Sequence, residues 1–159
     1  MRFVLLALLL FSLTTPCRTI LAASAPLPSP GPREKCPVCG MFVAKFPDWT
    51  AAVVRTDGSV LYCDGVKDLL RLLHEPPRYG LSLPQADIAG IRVKDYYSLE
   101  GIDGSSAFYV LGSDILGPMG KELIPFARRA EAMEFMRDHK GRQILSLTEV
   151  TPAILASLD

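Results

Sequence analysis

The chain has 159 residues with 17 basic and 17 acidic side chains, so its formal net charge at pH 7 is zero. This balance gives no reason to expect a nucleic-acid partner, because such proteins expose an excess of Lys and Arg. Hydrophobic residues make up 49% of the sequence, and the part that follows a leader is long enough to bury one core of ordinary size.

The N-terminus predicts a targeting segment. Arg2 precedes an apolar run over residues 3–11, which is shorter than the about 20 apolar residues that span a membrane. Together with the small residues at 22–25 it predicts a signal peptide over residues 1–25. Cys17 offers lipid attachment as an alternative, although Pro16 is a poor match for the small residue that precedes a lipidated cysteine. In either case we expect the mature domain to be exported to the periplasm.

Residues 26–35 carry a proline at every second position as far as Pro32. Proline has no amide hydrogen and fixes φ, so this stretch cannot supply a regular helix or an interior strand. We predict a semi-rigid linker between the envelope membrane and the folded domain.

The segment Cys36-Pro-Val-Cys39-Gly-Met41 places two thiols and a thioether within six residues. Thiolate and thioether sulfurs are soft donors, which prefer Cu(I) to the hard cations that carboxylates bind. The segment therefore predicts a copper(I) site that uses these three side chains.

Three alternatives compete with copper at this segment. A Cys-x-x-Cys pair in an exported protein is often a disulfide, and Met41 can serve as core filling. A redox-active pair is the third alternative. It normally draws on a helix N-terminus to stabilise its thiolate, whereas Gly40 and Pro47 leave no convincing helix after this motif.

A first β-β-α-β unit is predicted over residues 36–100. Asp57-Gly58 is a hairpin signal between two β-rich stretches. Asp64 is predicted to cap the N-terminus of an amphipathic helix, and Pro76 ends that helix. In chain order the predicted elements are strands at residues 50–56 and 60–63, the helix, and a strand at residues 91–97.

Residues 101–159 repeat this order. The predicted elements are strands at residues 106–111 and 122–126, a helix at residues 128–139, a strand at residues 143–147 and a short helix from Pro152. We therefore predict an α+β protein in which two small β-β-α-β units form one compact domain after the signal segment.

Met119 lies in a predicted loop over residues 112–120, between Pro118 and Gly120. A methionine in a loop calls for an explanation. It either packs the turn against the sheet or faces the Cys39 loop as a third soft ligand.

The other cysteine and the two histidines have simpler explanations. Once Cys17 is lost with the leader, three thiols remain, and three cannot fill a Cys₄ site for zinc or an iron–sulfur cluster. A zinc site completed by His74 is conceivable, but its spacing fits no common zinc module. We expect Cys63 to be an ordinary buried thiol, and His74 and His139 to lie near helix C-termini, where the dipole favours them.

Four segments, in this order, resemble the NosL family of nitrous-oxide reductase accessory proteins. They are CPVCGMFVAKFPDW at residues 36–49, DGVKDLL at 64–70, DYY at 95–97 and GPMGKELIPF at 117–126. The resemblance implies a pair of β-β-α-β units. It also implies a copper chaperone of the bacterial cell envelope, commonly a lipoprotein, that is not an enzyme.

Carried onto this chain, the resemblance implies Cu(I) ligands at Cys39, Met41 and Met119. Cys36 either ligates as well or pairs with Cys39 in the metal-free protein. The implied client is the copper–sulfide centre of nitrous-oxide reductase, reached directly or through a membrane ABC-type maturation complex. Two other classes stay open, namely a thiol–disulfide oxidoreductase or redox sensor that uses the Cys-x-x-Cys pair, and a protein that sequesters heavy metal.

Overall fold

The computed structural model describes residues 26–159. The predictions of a signal peptide and of lipid attachment at Cys17 lie outside the described residues. Within the described part, none of the helices has the length and apolar character needed to cross a bilayer.

Seven strands and three α-helices make up the framework of residues 26–159. In chain order they are β1 (Ala51–Arg55), β2 (Val60–Cys63), α1 (Val66–His74), β3 (Ile88–Lys94), β4 (Gly101–Asp103), β5 (Phe108–Gly117), β6 (Gly120–Phe126), α2 (Arg129–Asp138), β7 (Gln143–Leu145) and α3 (Pro152–Ala156). They form two antiparallel sheets, with strand orders β2-β1-β3-β4 and β6-β5-β7. The order β-β-α-β occurs twice, so the predicted α+β fold is confirmed.

The first hairpin follows its local sequence. Gly58 has φ +84°, a conformation that costs glycine least, and the Asp57 carboxylate accepts hydrogen bonds from both the amide and the hydroxyl of Ser59. The turn sets the register in which Val54 faces Val60.

Two predictions in the first unit need correction. The third strand covers Ile88–Lys94 rather than residues 91–97. It ends there because the Asp95 carboxylate accepts hydrogen bonds from the amides of Tyr97 and Ser98, which turn the chain out of the sheet. The short strand β4 was not predicted, since three residues give too little pattern to detect.

The predicted loop at residues 112–120 is wrong over most of its length. Strand β5 continues to Gly117 through an irregular register between Leu111 and Leu116. Pairing resumes beyond the irregularity and ends with Gly117 opposite Gly120. The connection is therefore a two-residue turn, Pro118-Met119, at the tip of a long hairpin.

One large core joins both sheets to α1. Tyr109 and Leu111 of β5 belong to this core, while the intervening Val110 packs with Phe135 of α2 in a smaller one. The alternation shows that the second sheet is covered on both faces. Because the first sheet contributes to the same large core, the two units form one body.

Each of the two long helices begins at a carboxylate from the other unit. The Glu122 carboxylate of β6 accepts a hydrogen bond of 2.6 Å from the backbone amide of Lys67, which lies in the first turn of α1. The carboxylate of Asp95, which follows β3, accepts a hydrogen bond of 2.7 Å from the backbone amide of Ala127, which precedes α2. These bonds satisfy amides at helix starts, where carboxylates are electrostatically favoured.

Asp64 does not cap α1 as predicted. The capping position belongs to Gly65, which makes no side-chain cap, because Glu122 satisfies the start of the helix from the other unit. The Asp64 side chain is directed elsewhere.

The proline-rich segment forms neither helix nor strand, as its composition predicts, but it is packed. Leu27 lies so close to Gly101 of β4 that a side chain there would meet it. The Tyr62 hydroxyl of β2 donates to the Ser29 carbonyl at 3.3 Å. Because β2 and β4 are the two edges of the first sheet, the segment crosses that sheet.

Candidate metal centre

The Cys36–Met41 segment is a tight loop closed by backbone hydrogen bonds. The Cys36 amide donates to the Met41 carbonyl at 2.9 Å, and the Gly40 amide donates to the Cys36 carbonyl at 2.8 Å. An isolated bridge pairs Lys35 with Phe42 at the base of the loop. Gly40 has φ +79°, which a residue with a Cβ adopts only with strain. The glycine therefore lets the chain turn back within a few residues of the first thiol.

Four side chains converge on this loop. Cys36 and Cys39 of the loop meet Asp64 and Asp68, and one ligand atom from each lies within 4.8 Å of all the others. The Cys39 thiol donates to an Asp64 carboxylate oxygen at 3.2 Å, and the Cys36 thiol donates to an Asp68 oxygen at 3.5 Å. Ligands around a four-coordinate ion are about 3.5 Å apart, so small adjustments bring these four atoms around one ion. We call this group the thiol–carboxylate cluster.

The two carboxylates reach the loop from the junction of β2 and α1. Asp64 follows β2 directly and precedes the N-cap Gly65, whereas Asp68 lies in the first turn of α1. Asp68 is only 2% exposed. The sequence predicted Asp64 to be a helix cap and offered no signal for Asp68, which lies outside the apolar positions of α1, so the convergence of the two carboxylates on the loop was not predicted.

The carboxylates are not fully satisfied. One oxygen of Asp64 and one of Asp68 are buried with no hydrogen-bond partner, although the Arg71 guanidinium lies 3.6 Å from the Asp68 oxygen. Buried anionic oxygens without hydrogen bonds are costly. The cluster therefore has the charge and the free lone pairs that suit a bound cation.

The two thiols of the cluster differ in environment. Cys36 is 1% exposed, whereas Cys39 is partly exposed. A hydrogen bond from the Cys63 thiol is the main cause that lowers the pKa of Cys36, and the amides of Cys39 and Val38 add to it against the effect of burial. Burial raises the pKa of Cys39. Hydrogen bonding thus favours ionisation of the buried thiol, whereas burial opposes ionisation of the accessible one.

Cys63 lies beside the cluster rather than in it. It is fully buried, as predicted, and its hydrogen bond to Cys36 is the main cause that raises the pKa of Cys63 itself. All three cysteines of residues 26–159 are free thiols. Cys63 therefore acts as a donor that orients Cys36, which sequence spacing alone did not reveal.

Met41 and Met119 are linked to the surroundings of the cluster by different contacts. Met41 is the last residue of the loop, and its carbonyl closes that loop. Met119 lies at the β5–β6 turn, is 42% exposed, and its carbonyl accepts a hydrogen bond from the Lys67 ammonium of α1 at 2.7 Å. The N-terminal turn of α1 thus contacts both loops. The roles of Cys36, Cys39, Met41 and Met119 as metal ligands stay predictions.

Neither histidine belongs to the thiol–carboxylate cluster. His74 is the last residue of α1, and its ring contacts the Val150 carbonyl at 2.8 Å. His139 follows α2 and pairs with Asp114 at 3.2 Å. Both positions agree with the predicted helix C-termini.

Comparison with known proteins identifies the fold. A copper chaperone NosL from Shewanella denitrificans has a crystal structure that superposes with a TM-score of 0.65, at 21% identity, over 80% of this chain and 99% of that one. A solution NMR structure of apo-NosL from Achromobacter cycloclastes gives a TM-score of 0.46 at 28% identity, over 66% of this chain and 87% of that one.

Sequence comparison identifies the family. The copper-binding lipoprotein NosL of Stutzerimonas stutzeri is 29% identical over 123 residues, which are 77% of this chain and 64% of that protein. The match thus spans less than two thirds of that relative's length. The family model of NosL matches residues 28–155. The chain therefore belongs to the NosL family.

Proposed function

We propose that this protein is a Cu(I)-binding metallochaperone of the bacterial cell envelope. The observation that carries the proposal is the convergence of the Cys36 and Cys39 thiols at one point, with Cys39 on the accessible side. Two relatives in the same family are named a copper-binding lipoprotein and a copper chaperone. Soft sulfur donors and the family together favour cuprous ion as the cargo.

In this proposal Cys36 and Cys39 bind Cu(I) as thiolates, and the thioethers of Met41 and Met119 complete the coordination. Carboxylates are poor ligands for Cu(I), so Asp64 and Asp68 act on the thiols. They accept the thiol hydrogen bonds in the metal-free protein, and they keep the region anionic, which attracts a cation. Metal uptake then releases thiol protons to solvent.

Delivery follows from the partial exposure of Cys39. A closed four-ligand site holds its metal and releases it slowly, whereas a site with an open side lets a partner's ligand attack. Cu(I) can then pass on by ligand exchange without being free in solution. We assign the copper–sulfide centre of nitrous-oxide reductase as the destination, reached directly or through a membrane ABC-type maturation complex. The NosL family supports this assignment.

We place the protein in the periplasm, attached to the membrane through its N-terminal segment. The support is the relative that is named a lipoprotein. Residues 27–29 lie across the first sheet, so an anchor attached upstream would hold that sheet close to the membrane.

The thiol–disulfide alternative is disfavoured by the arrangement of the two thiols. A redox nucleophile must be both exposed and easily deprotonated. Here the thiol with the lowered pKa, Cys36, is buried, and burial raises the pKa of the accessible Cys39. This division suits a metal site better than disulfide exchange.

An anaerobic Cu(I) titration against a competing chelator tests the proposal. We expect Cys39→Ser to lower the affinity by at least about 100-fold, and Met41→Leu or Met119→Leu by about ten-fold or more, because even outer-shell partners of metal sites contribute 10–100-fold. Met133→Leu is the matched control, since Met133 is 46% exposed, close to the 42% of Met119, but lies on α2.

Two results would contradict the proposal. Reduced protein that takes up no Cu(I) would exclude a copper function altogether. Loaded protein that never passes Cu(I) to the reductase or to its maturation complex would indicate sequestration instead. Unchanged thiol–disulfide activity in the Met41→Leu and Met119→Leu variants would support the oxidoreductase alternative.

A further inference from the structure

A buried lysine on α1 contacts the turn that carries Met119. Lys67 is 2% exposed, and its ammonium donates to the Met119 carbonyl at 2.7 Å and to the Leu158 carbonyl at 3.5 Å. An ammonium is rarely buried unless its donors are paired. These two carbonyls belong to distant parts of the chain, so the buried charge ties the β5–β6 turn and the C-terminal residues to one point on α1.

The charged side chains at the start of α1 and just before it are divided between two loops. Asp64 and Asp68 contact the thiols of the Cys36–Met41 loop, whereas Lys67 contacts the Met119 turn. Hydrogen bonds hold the backbone of this turn, since the Leu69 amide donates to the Gly65 carbonyl and the Lys67 amide donates to the Glu122 carboxylate. The separation between the two sulfur-bearing loops is therefore set through this one turn.

The Met119 turn needs such support. It has two residues at the tip of a hairpin whose strands lose regular register between Leu111 and Leu116. With Met119 42% exposed, packing against the core does little to hold its side chain. A charge-assisted hydrogen bond is roughly twice as strong as a neutral one, so the Lys67 ammonium is a substantial restraint on this tip.

We infer that Lys67 is a positioning residue that holds the Met119 turn against the start of α1 and so keeps the Met119 thioether available to Cu(I) at the thiol–carboxylate cluster. This inference rests on the proposed function and deepens it. Lys67 does not ligate the metal, since an ammonium has no lone pair to donate. It acts through the backbone of the residue that does.

A metal-free measurement tests the positioning itself. We expect Lys67→Leu to raise the mobility of the Met119 turn, seen as a lower NMR order parameter for the Met119 amide and methyl group. Lys67→Gln, whose amide is too short to bridge both carbonyls, is a second variant in case the first folds poorly. Lys121→Leu is the matched control, because Lys121 is on the same hairpin but contacts the Asp159 carbonyl at 3.4 Å. Unchanged order parameters in both Lys67 variants would overturn the inference.

A double-mutant cycle tests the consequence for copper. If Lys67 acts through Met119, then Lys67→Leu and Met119→Leu should each lower Cu(I) affinity about ten-fold, and the double variant should be no weaker than the Met119→Leu single variant. The shift of the Met119 methyl signal on Cu(I) addition should also be lost in Lys67→Leu. Multiplicative effects of the two substitutions would overturn the inference.

The same data separate this inference from the proposed function. Wild-type protein that binds no Cu(I) contradicts the proposed function, and the metal-free order parameters still decide whether Lys67 positions the turn. Normal Cu(I) binding by wild type, with full affinity retained in Lys67→Leu, contradicts only the inference.

Discussion

The helices α1 and α2 occupy equivalent positions in the two β-β-α-β units, but their first turns differ in whether the charged side chains are buried. Asp68 and Lys67 in α1 are each 2% exposed. In α2 the first-turn residue Glu131 pairs with the exposed Arg128, and the buried residues of that helix are Ala132 and Phe135. Both helix starts thus receive a buried carboxylate from the other unit, Glu122 or Asp95, but only α1 also buries charged side chains of its own first turn.

This difference indicates where function has been added to the fold. Burying a charged group costs several kcal/mol unless partners compensate, and α2 forms without burying any charged side chain of its own first turn. The charges at α1 lie between the Cys36–Met41 loop and the Met119 turn. We therefore regard α2 as structural and the start of α1 as the region that serves the metal. Three substitutions test this division.

The largest effect is expected from Phe135→Ala on α2. Phe135 is fully buried and its ring lies 4.8 Å from that of Tyr96 and 5.0 Å from that of Phe126. We expect the free energy of unfolding, measured with urea, to fall by about 3–5 kcal/mol. The milder Phe135→Leu should leave Cu(I) affinity unchanged. A loss of affinity in that folded variant would show that α2 also supports the site.

An intermediate effect on the free energy of unfolding is expected from Glu122→Gln, the β6 residue that hydrogen-bonds to the start of α1. This effect should depend on pH. Burial raises the pKa of Glu122 to about 7, against the opposing hydrogen bonds from the Leu123 and Lys67 amides. Between about pH 4.5 and 7 the folded protein keeps a proton on Glu122 that the unfolded chain releases, so this group lowers stability as pH rises.

Glutamine does not ionise, so the Glu122→Gln variant should lack this pH-dependent loss of stability. Its free energy of unfolding, relative to wild type, should therefore increase from pH 4.5 to pH 7, by up to about 3 kcal/mol. Urea denaturation of both proteins at several pH values measures the difference. A difference that is constant across this range would mean that Glu122 ionises normally in the folded protein.

The smallest effect on stability is expected from Asp68→Asn. This substitution should raise the stability of the metal-free protein but lower its affinity for Cu(I). Burial is the main cause that raises the pKa of Asp68, so its charged form is unfavourable in the metal-free protein. Removing the charge should stabilise that protein by about 1 kcal/mol and lower Cu(I) affinity about ten-fold.

The matched change on α2 is Glu131→Gln, which should alter neither quantity measurably because its ion pair lies at the surface. Thermal unfolding and the chelator titration check both variants. If Asp68→Asn destabilised the metal-free protein and left Cu(I) affinity intact, Asp68 would be a structural residue.

The order of elements could be predicted from the sequence because it depends on local patterns. Apolar periodicity and hairpin or stop signals such as Asp57-Gly58 and Pro76 gave both β-β-α-β units. The β5–β6 hairpin could not be predicted to its tip. Gly112, Gly117 and Pro118 indicate a loop locally, and the pairing that extends the strands is a property of the partner strand.

The candidate site was predictable in part for the same reason. Close spacing of Cys36, Cys39 and Met41 is a local signal, and soft donors define its chemistry. The involvement of Asp64 and Asp68 depends on where the loop folds back onto α1. An aspartate before a helix is read as a cap unless another group takes that place, and here the group is Glu122, more than fifty residues away in the chain.

The carboxylates of Glu122 and Asp95 each accept a hydrogen bond from the start of the helix in the other unit. The two units therefore depend on each other. Either repeat made as a separate polypeptide would begin its helix without the acceptor that the other supplies. The two fragments would then gain much of their structure only on association, like the subunits of an obligate heterodimer. We therefore expect that neither half of this protein folds autonomously.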